Sequence, residues 1–156
     1  MEQKRHIVEL YEQTINWVKE LKELSDEQWR MPVAPGKWTI AEVIGHLIFW
    51  DLFVLEKRLP FFFEKCILPA SPNVDETNRL ASEESKIKTK EELIISFVAT
   101  RTKLVLAIKK ILDENWNSQL SLKSKEITLM DYFAGLLDHD CQHFDEIRAA
   151  LRKHGK

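Results

Sequence analysis

The sequence predicts an all-α protein, a single four-helix bundle, from its composition, its helical periodicity and the length of its apolar segments. Only four glycines and five prolines occur among 156 residues, whereas 44% are hydrophobic and 31% are charged. This balance is typical of long amphipathic helices. Four segments of roughly 20 residues or more repeat apolar side chains every three or four positions, and none has a convincing period-two strand pattern. A chain of this length forms one core, so residues 1–156 are assigned to one domain.

The first predicted helix covers roughly residues 2–24, where the apolar side chains lie on one face. The segment that follows contains Pro32, Pro35 and Gly36. Prolines and glycines interrupt regular structure, so this segment is a connection with room for one short turn after Ser25.

The second predicted helix has the clearest start in the sequence. Thr39 and Glu42 have the spacing of a capping box, and Trp38 and Val43 occupy the two hydrophobic staple positions around it. The apolar face then continues until Pro60, which cannot continue a helix. We therefore expect a helix from Thr39 to the residues just before Pro60.

The remaining two helices have similar start signals. Thr89 and Glu92 form a second capping box, and that helix is expected to end near Asp113. Thr128 begins the fourth helix with a weaker capping box, and its apolar face continues to about residue 154.

The connection over residues 60–88 is long for a compact domain. A helix of about 22 residues spans roughly 33 Å, and a connection of this length can run back along it. The second and third helices can then be parallel, which gives the order up, down, down, up.

Charge and targeting signals exclude several classes of function. The formal net charge of −2 offers no basic cluster for nucleic acid, and no apolar run reaches the roughly 20 residues of a membrane span. The N-terminus is charged and lacks the apolar stretch of a secretory signal. Cys66 and Cys141 are far apart and do not resemble a disulfide framework. We expect a soluble cytoplasmic protein with reduced thiols.

Three of the five histidines fall on the predicted buried faces. His139 and His143 are four residues apart, and this spacing brings two side chains to the same face of a helix. His46 lies in the middle of the apolar face of the second helix. These three side chains can form a two-helix metal site, although histidines on apolar faces also occur as hydrogen-bonded core residues.

Three neutral imidazoles leave at least one coordination position open, as in catalytic zinc sites. Such a position can hold a thiol, for transfer to an electrophile, or a water, for hydrolysis. The ligand set does not separate these reactions. Nor does it select the metal, because imidazole suits zinc, nickel, copper and iron alike.

Four other polar residues are weaker candidates for the site. Glu42 could orient a ligand or bind the metal, but its capping role already explains it. Asp138 and Asp140 could accept hydrogen bonds from imidazole N–H groups; solvated surface carboxylates are the alternative. Arg101 could bind a substrate carboxylate bidentately, or extend its guanidinium to solvent at the bundle edge.

Two stretches resemble the signature regions of the DinB-like (YfiT-like) superfamily. They are W-T-I-A-E-V-I-G-H-L-I-F-W at residues 38–50 and L-L-D-H-D-C-Q-H-F-D-E-I-R at residues 136–148; V-D-E-T-N at residues 74–78 resembles that family's acidic loop more weakly. The resemblance implies an up-down-down-up bundle with a divalent metal on His46, His139 and His143. Zinc or nickel is expected first, with manganese or iron as alternatives, and homodimers are common in the family.

Relatives in that superfamily include metal-dependent thiol S-transferases that use bacillithiol, and mycothiol-dependent isomerases. The resemblance therefore implies a small-molecule thiol and a small electrophile as partners. A hydrolase of small amides or thioesters, or a non-catalytic metal-binding or ligand-binding protein, are the alternatives. The family gives no reason to expect DNA binding.

The connection over residues 60–88 is expected to cross the bundle beside the metal. Asp75, Glu76 or Asn78 would then reach the substrate. A solvated tether is the alternative, because long connections are also found as linkers.

Overall fold

The computed structural model describes residues 2–64, 67–122 and 125–154, and Cys66 lies outside them. Six α-helices and one β-hairpin are formed within these ranges. The helices are α1 (Glu2–Glu20), α2 (Asp26–Trp29), α3 (Ile40–Lys57), α4 (Val74–Ile87), α5 (Lys90–Lys110) and α6 (Leu129–His154). The strands are β1 (Gln119–Leu122) and β2 (Lys125–Thr128). The four predicted bundle helices correspond to α1, α3, α5 and α6.

The capping boxes predicted for α3 and α5 are confirmed. The Thr39 side chain accepts from Glu42 N at 3.1 Å, and Glu42 Oε1 accepts from Thr39 N at 2.9 Å. The Thr89 pair has the same arrangement. These bonds satisfy backbone N–H groups that have no partner inside the helix, so they fix where each helix begins. The last turns were predicted less well, since α1 ends at Glu20 and continues as a 3-10 turn.

Two apolar clusters show the direction of each bundle helix. One contains Ile7 of α1, Val54 of α3, Ile108 of α5 and Phe133 of α6. The other contains residues from the opposite ends of the same helices, which are Val18, Ile44, Leu93 and Phe144. Thus α1 and α6 run one way and α3 and α5 run the other, which is the up-down-down-up order.

A buried polar network lies among the four bundle helices. Arg101 of α5 donates to both carboxylate oxygens of Asp51 on α3, at 2.7 and 3.0 Å. Its Nη1 also donates to Asp140 on α6 at 2.7 Å and to Thr14 on α1 at 3.0 Å. One arginine is therefore bonded to the other three bundle helices.

The prediction that Arg101 extends to solvent is wrong, because only 1% of its surface is exposed. Burial alone would lower the Arg101 pKa, but Asp51 and Asp140 outweigh it and hold that pKa above its ordinary range. Burial raises the Asp51 pKa to about 6, against the lowering effect of Arg101. The Asp51–Arg101 pair is ionised at neutral pH.

The long connection contains a helix, α4, that the sequence interpretation did not include. Asn73 is its N-cap and accepts from Glu76 N at 2.8 Å. The helix packs closely on α3: a Cβ added at Gly45 would lie 1.7 Å from Ser85 Oγ. Only glycine at this position allows the two helices to approach this closely.

The β-hairpin is a second correction, because the sequence was read as having no strand. Strands β1 and β2 are antiparallel, with Gln119 opposite Thr128 and Leu122 opposite Lys125. Each strand has four residues, too short for a clear alternating pattern. Leu120 packs its side chain into the apolar core and holds the hairpin against the bundle.

Among the described residues, no helix is both long enough and apolar enough to cross a membrane.

Candidate metal centre

The fold brings the three predicted histidines together at one place. His46 lies on α3, and His139 and His143 lie one turn apart on α6. One ring nitrogen from each can be chosen so that all three lie within 4.8 Å of one another. The ring centroids of His46 and His143 are 4.6 Å apart, as are those of His139 and His143. The spacing predicted from sequence therefore produces a compact group of imidazoles.

The His46 ring is fixed by its own helix. It is 2% exposed, and its Nδ1 is 2.6 Å from the carbonyl oxygen of Val43. A carbonyl only accepts, so Nδ1 carries the proton and Nε2 keeps its lone pair. Burial, with a smaller effect from His143, lowers the pKa of His46 to about 3. The ring is neutral at physiological pH and has one nitrogen free to bind a metal.

His143 has a buried nitrogen without a hydrogen bond. Its Nδ1 is 3.4 Å from Glu146 Oε1, but the two groups do not have hydrogen-bond geometry. Burial, and then the neighbouring His139, lowers the pKa of His143. Buried polar atoms in folded proteins nearly always have a partner. The neutral His46 ring and the unbonded His143 nitrogen fit a divalent ion as their partner.

Of the three histidines, His46 is buried, His143 is half-buried and His139 is exposed, so the predicted burial is confirmed for His46 alone. All three line a cavity of about 550 Å³. This is the size range of small-molecule sites. The apolar part of its wall is formed by Trp38, Leu47, Trp50, Phe53, Val54 and Leu136. The polar part includes Arg58, Ser71, Asn78 and Tyr132. Trp38 is the apolar lining residue in ring contact with the site, since its ring centroid lies 4.7 Å from that of His46.

Comparison with protein families identifies the chain. A model described as the DinB superfamily matches residues 9–147. The chain belongs to the DinB superfamily. This confirms the resemblance found in the two signature stretches, which contribute all three histidines.

A solved structure supports the same fold for this DinB-superfamily chain. It is described as "YfiT from Bacillus subtilis is a probable metal-dependent hydrolase with an unusual four-helix bundle topology". The TM-score is 0.82 at 17% identity, covering 99% of this chain and 89% of that one. At this identity the similarity shows the fold alone. No curated protein matches the sequence.

Glu42 does not face the cavity of this DinB domain. Its Oε1 accepts from the backbone and hydroxyl of Thr39, and its Oε2 accepts from the Ser82 hydroxyl. Burial alone would raise the Glu42 pKa, but these hydrogen bonds hold it below the usual range. The carboxylate thus fixes the start of α3 and joins it to α4. Its predicted contact with a ligand stays a prediction without structural support.

The two aspartates that flank His139 have different surroundings. Asp138 is exposed, as expected for a solvated carboxylate. Asp140 is 5% exposed and accepts from Arg101, so its description as a surface carboxylate is wrong. Because Arg101 is already bonded to Asp140 and Asp51, its guanidinium is not available to bind a substrate carboxylate.

The 60–88 connection does lie beside the cavity. Asn78 lines it and accepts from Trp50 Nε1 at 2.9 Å. Asp75 and Glu76 are exposed, and Glu76 pairs with Arg79 at 2.7 Å. Only Asn78 of the three is placed to contact a ligand.

Sequence reasoning missed Arg58 and Tyr132, which line the same cavity. Arg58 follows α3 directly, where it looks like an ordinary basic residue at a helix C-terminus. The one indication in the sequence that Arg58 has a special position is the helix end just before Leu59 and Pro60. Arg58 is buried by residues that come later in the chain, such as Pro69 and Tyr132.

Proposed function

We propose that the protein is a divalent-metal-dependent enzyme that joins a low-molecular-weight thiol to a small electrophile. His46, His139 and His143 are the proposed metal ligands, with zinc or nickel as the metal. One observation carries the proposal: the histidine group lines a cavity of about 550 Å³. Within the part of the chain that the structure describes, no fourth His, Cys, Asp or Glu joins the group. A site of this kind keeps room for a reactant.

A divalent ion at these residues supplies positive charge that lowers the pKa of a thiol or water bound beside it. The side chains of the protein do the rest. Val43 O holds the proton on Nδ1 of His46, which leaves Nε2 as the nitrogen able to bind the ion. Trp38, Trp50 and Phe53 exclude water and accept the apolar part of a substrate.

The cavity wall offers no competing catalytic apparatus among the described residues. Asp51 and Asp140 are held by Arg101, so neither is free to act as a general base. Among the described lining residues there is no cysteine or lysine, and the one serine, Ser71, has no histidine partner. Covalent catalysis by the protein is therefore disfavoured, and the nucleophile is expected to come from solution.

The choice of a thiol rests on the resemblance to thiol S-transferases. A hydrolase of small amides or thioesters is the second candidate, favoured by the fold similarity to YfiT, which is described as a probable metal-dependent hydrolase. A cytoplasmic location, small-molecule partners and assembly as a homodimer are part of the same proposal; the partners and the homodimer rest on the family resemblance.

A paired assay separates the two reactions. Protein reconstituted with zinc or nickel is mixed with cysteine and chlorodinitrobenzene, and separately with nitrophenyl acetate without a thiol. The S-transferase proposal predicts thiol-dependent adduct formation that is lost in His46→Ala and retained in His6→Ala. His6 is an exposed histidine on α1 and serves as the matched control.

If the protein hydrolyses nitrophenyl acetate without a thiol, and His46→Ala loses this activity, the hydrolase proposal replaces the S-transferase proposal. Stoichiometric metal with neither activity, across a panel of thiols, electrophiles and esters, would favour a binding protein.

A further inference from the structure

Arg58 is a buried cation in the wall of the same cavity. It is 7% exposed and directly follows the last residue of α3. Its Nε donates to Pro69 O at 2.9 Å, its Nη1 to Tyr132 Oη at 3.2 Å and its Nη2 to Ser71 Oγ at 3.4 Å. The guanidinium also lies over the Phe53 ring, 4.8 Å from its centroid. Protein groups therefore fix the orientation of the guanidinium.

These bonds leave part of the guanidinium unused. Arginine has five N–H donors, and the three bonds use one on each nitrogen. One N–H on each terminal nitrogen has no partner among the described residues. A planar guanidinium with two donors of this kind can bind a carboxylate through two parallel hydrogen bonds.

The charge of Arg58 also has no protein counter-ion in the described chain. The other buried arginine, Arg101, is neutralised by Asp51 and Asp140. The partners of Arg58 are a carbonyl and two hydroxyl groups. Burial raises the Tyr132 pKa despite the opposing effect of Arg58, so this phenol is neutral and does not balance the charge. Buried charges are normally paired, and an anionic ligand would complete this one.

We propose that Arg58 binds a carboxylate of the small molecule that occupies the cavity, whose reactive end faces the three histidines. Arg58 is the only Lys or Arg among the described lining residues, so the wall matches one negative charge better than a phosphate dianion. Trp50 and Phe53 line the cavity, lie between His46 and Arg58 along α3, and suit an apolar body. The inference rests on the proposed function for the reactive end of the ligand, but not for carboxylate binding itself.

The probes are phenylacetate and its neutral analogue phenylacetamide, with binding measured by calorimetry. Both metal-free and zinc-loaded protein are used, since a carboxylate can also bind a metal. We expect metal-free protein to bind phenylacetate about tenfold or more tightly than phenylacetamide, in line with a charge-assisted bidentate pair. Arg58→Gln should reduce this ratio to about one. Arg79→Gln, which removes an exposed arginine paired with Glu76 and Glu83, should leave it unchanged.

Arg58 also donates hydrogen bonds to Pro69 and Ser71, so a second variant and a measurement on the wild type accompany Arg58→Gln in case that variant fails to fold. Arg58→Lys then keeps the charge without the planar pair of donors, and an intermediate ratio is expected. In nitrogen-labelled wild-type protein, the Arg58 guanidinium signals should shift with phenylacetate and not with phenylacetamide. Equal affinities of the wild type for the two probes, or unmoved signals, would overturn the proposal and make Arg58 a structural anchor.

A second pair of measurements finds which reactant carries the carboxylate. If it is the electrophile, Arg58→Gln raises KM for iodoacetate and not for iodoacetamide. If it is the thiol, the same change raises KM for mercaptopropionate and not for mercaptoethanol. An unchanged KM for all four would contradict the proposal. Arg58-dependent phenylacetate binding without any thiol transfer would leave the carboxylate site standing and remove the S-transferase function.

Discussion

His46 combines deep burial with a fixed tautomer, and both follow from its position on α3. The ring is 2% exposed, and the Val43 carbonyl occupies its Nδ1. A protonated imidazole would have to place a charge in this apolar surrounding next to His143, which is why the His46 pKa falls to about 3. The same features that keep the ring ready to bind metal make it costly to protonate.

Acid stability of the metal-free protein should therefore depend on His46. In the unfolded chain its pKa returns to about 6.5, so below that pH the unfolded state takes up a proton that the folded state does not. Stability should fall as pH drops from about 6.5 towards about 3, by about 2 kcal/mol from this residue between pH 7 and pH 5. Urea unfolding of metal-free protein at the two pH values measures it.

The control for this pH effect is a matched pair of variants. His46→Gln should make the pH dependence distinctly shallower, whereas His6→Gln, at an exposed position, should keep it. An unchanged dependence in His46→Gln would show that His46 is not the residue that resists protonation.

The contact between α3 and α4 shows how two helices pack without a large apolar surface. The contact surface of α4 contains Ala81, Ser82 and Ser85, which are small and largely polar. The Ser85 side chain donates to Ala81 O at 2.8 Å and lies against Gly45. Close backbone approach, and not a large apolar face, holds this helix in place.

Gly45→Ala should separate α3 and α4. The new methyl group would overlap Ser85 Oγ, and overpacking of this kind typically costs about 1–3 kcal/mol. Ser85→Ala in the same chain should recover part of the loss. Gly135→Ala on α6 is the control: its added Cβ meets nothing within 4 Å, so about 1 kcal/mol of stabilisation is expected from helix propensity.

The free energy of unfolding in urea measures all of these variants. Equal effects of Gly45→Ala and Gly135→Ala would show that the α3–α4 approach is not tight.

Helix starts could be predicted because they depend on nearby residues. Thr39 and Glu42, three positions apart, bond to each other whatever the rest of the chain does. By contrast, α4 was missed because its buried face consists of Ala81, Ser82 and Ser85, small residues that are also common in connections. The β-hairpin was missed for a similar reason, since four residues are too few to show alternation.

Site residues, too, could be predicted where they depend on local sequence and were missed where they depend on distant parts of the chain. Spacing on one helix predicted that His139 and His143 would lie together, and the apolar face of α3 placed His46 toward them. Nothing local distinguishes Arg58, which is buried by residues such as Pro69 and Tyr132 from elsewhere in the chain. Arg101 was misread because its partners Asp51 and Asp140 are 50 and 39 residues away.

At the scale of the whole molecule, Arg101 joins all four bundle helices. Arg101→Met would leave Asp51 and Asp140 buried without a cation, and breaking a buried ion pair in this way costs about 3–5 kcal/mol. We expect a lower urea midpoint with helicity retained in the absence of denaturant. Arg79→Met, which breaks only the exposed ion pairs with Glu76 and Glu83, should change the midpoint little. If the two variants had the same urea midpoint, the buried Arg101 network would stabilise the fold no more than the exposed Arg79 ion pairs do.

Whether His46, His139 and His143 hold one divalent ion is decided by the metal stoichiometry of the protein. The measurement is metal content by mass spectrometry after reconstitution with zinc or nickel and removal of unbound metal, with helicity followed by circular dichroism. We predict about one ion per chain in the wild type and in His6→Ala. His46→Ala and His143→Ala should retain helicity and lose most of the metal. Stoichiometric metal in either of these two variants, or its absence from the wild type, would rule out a metal site formed by the three histidines.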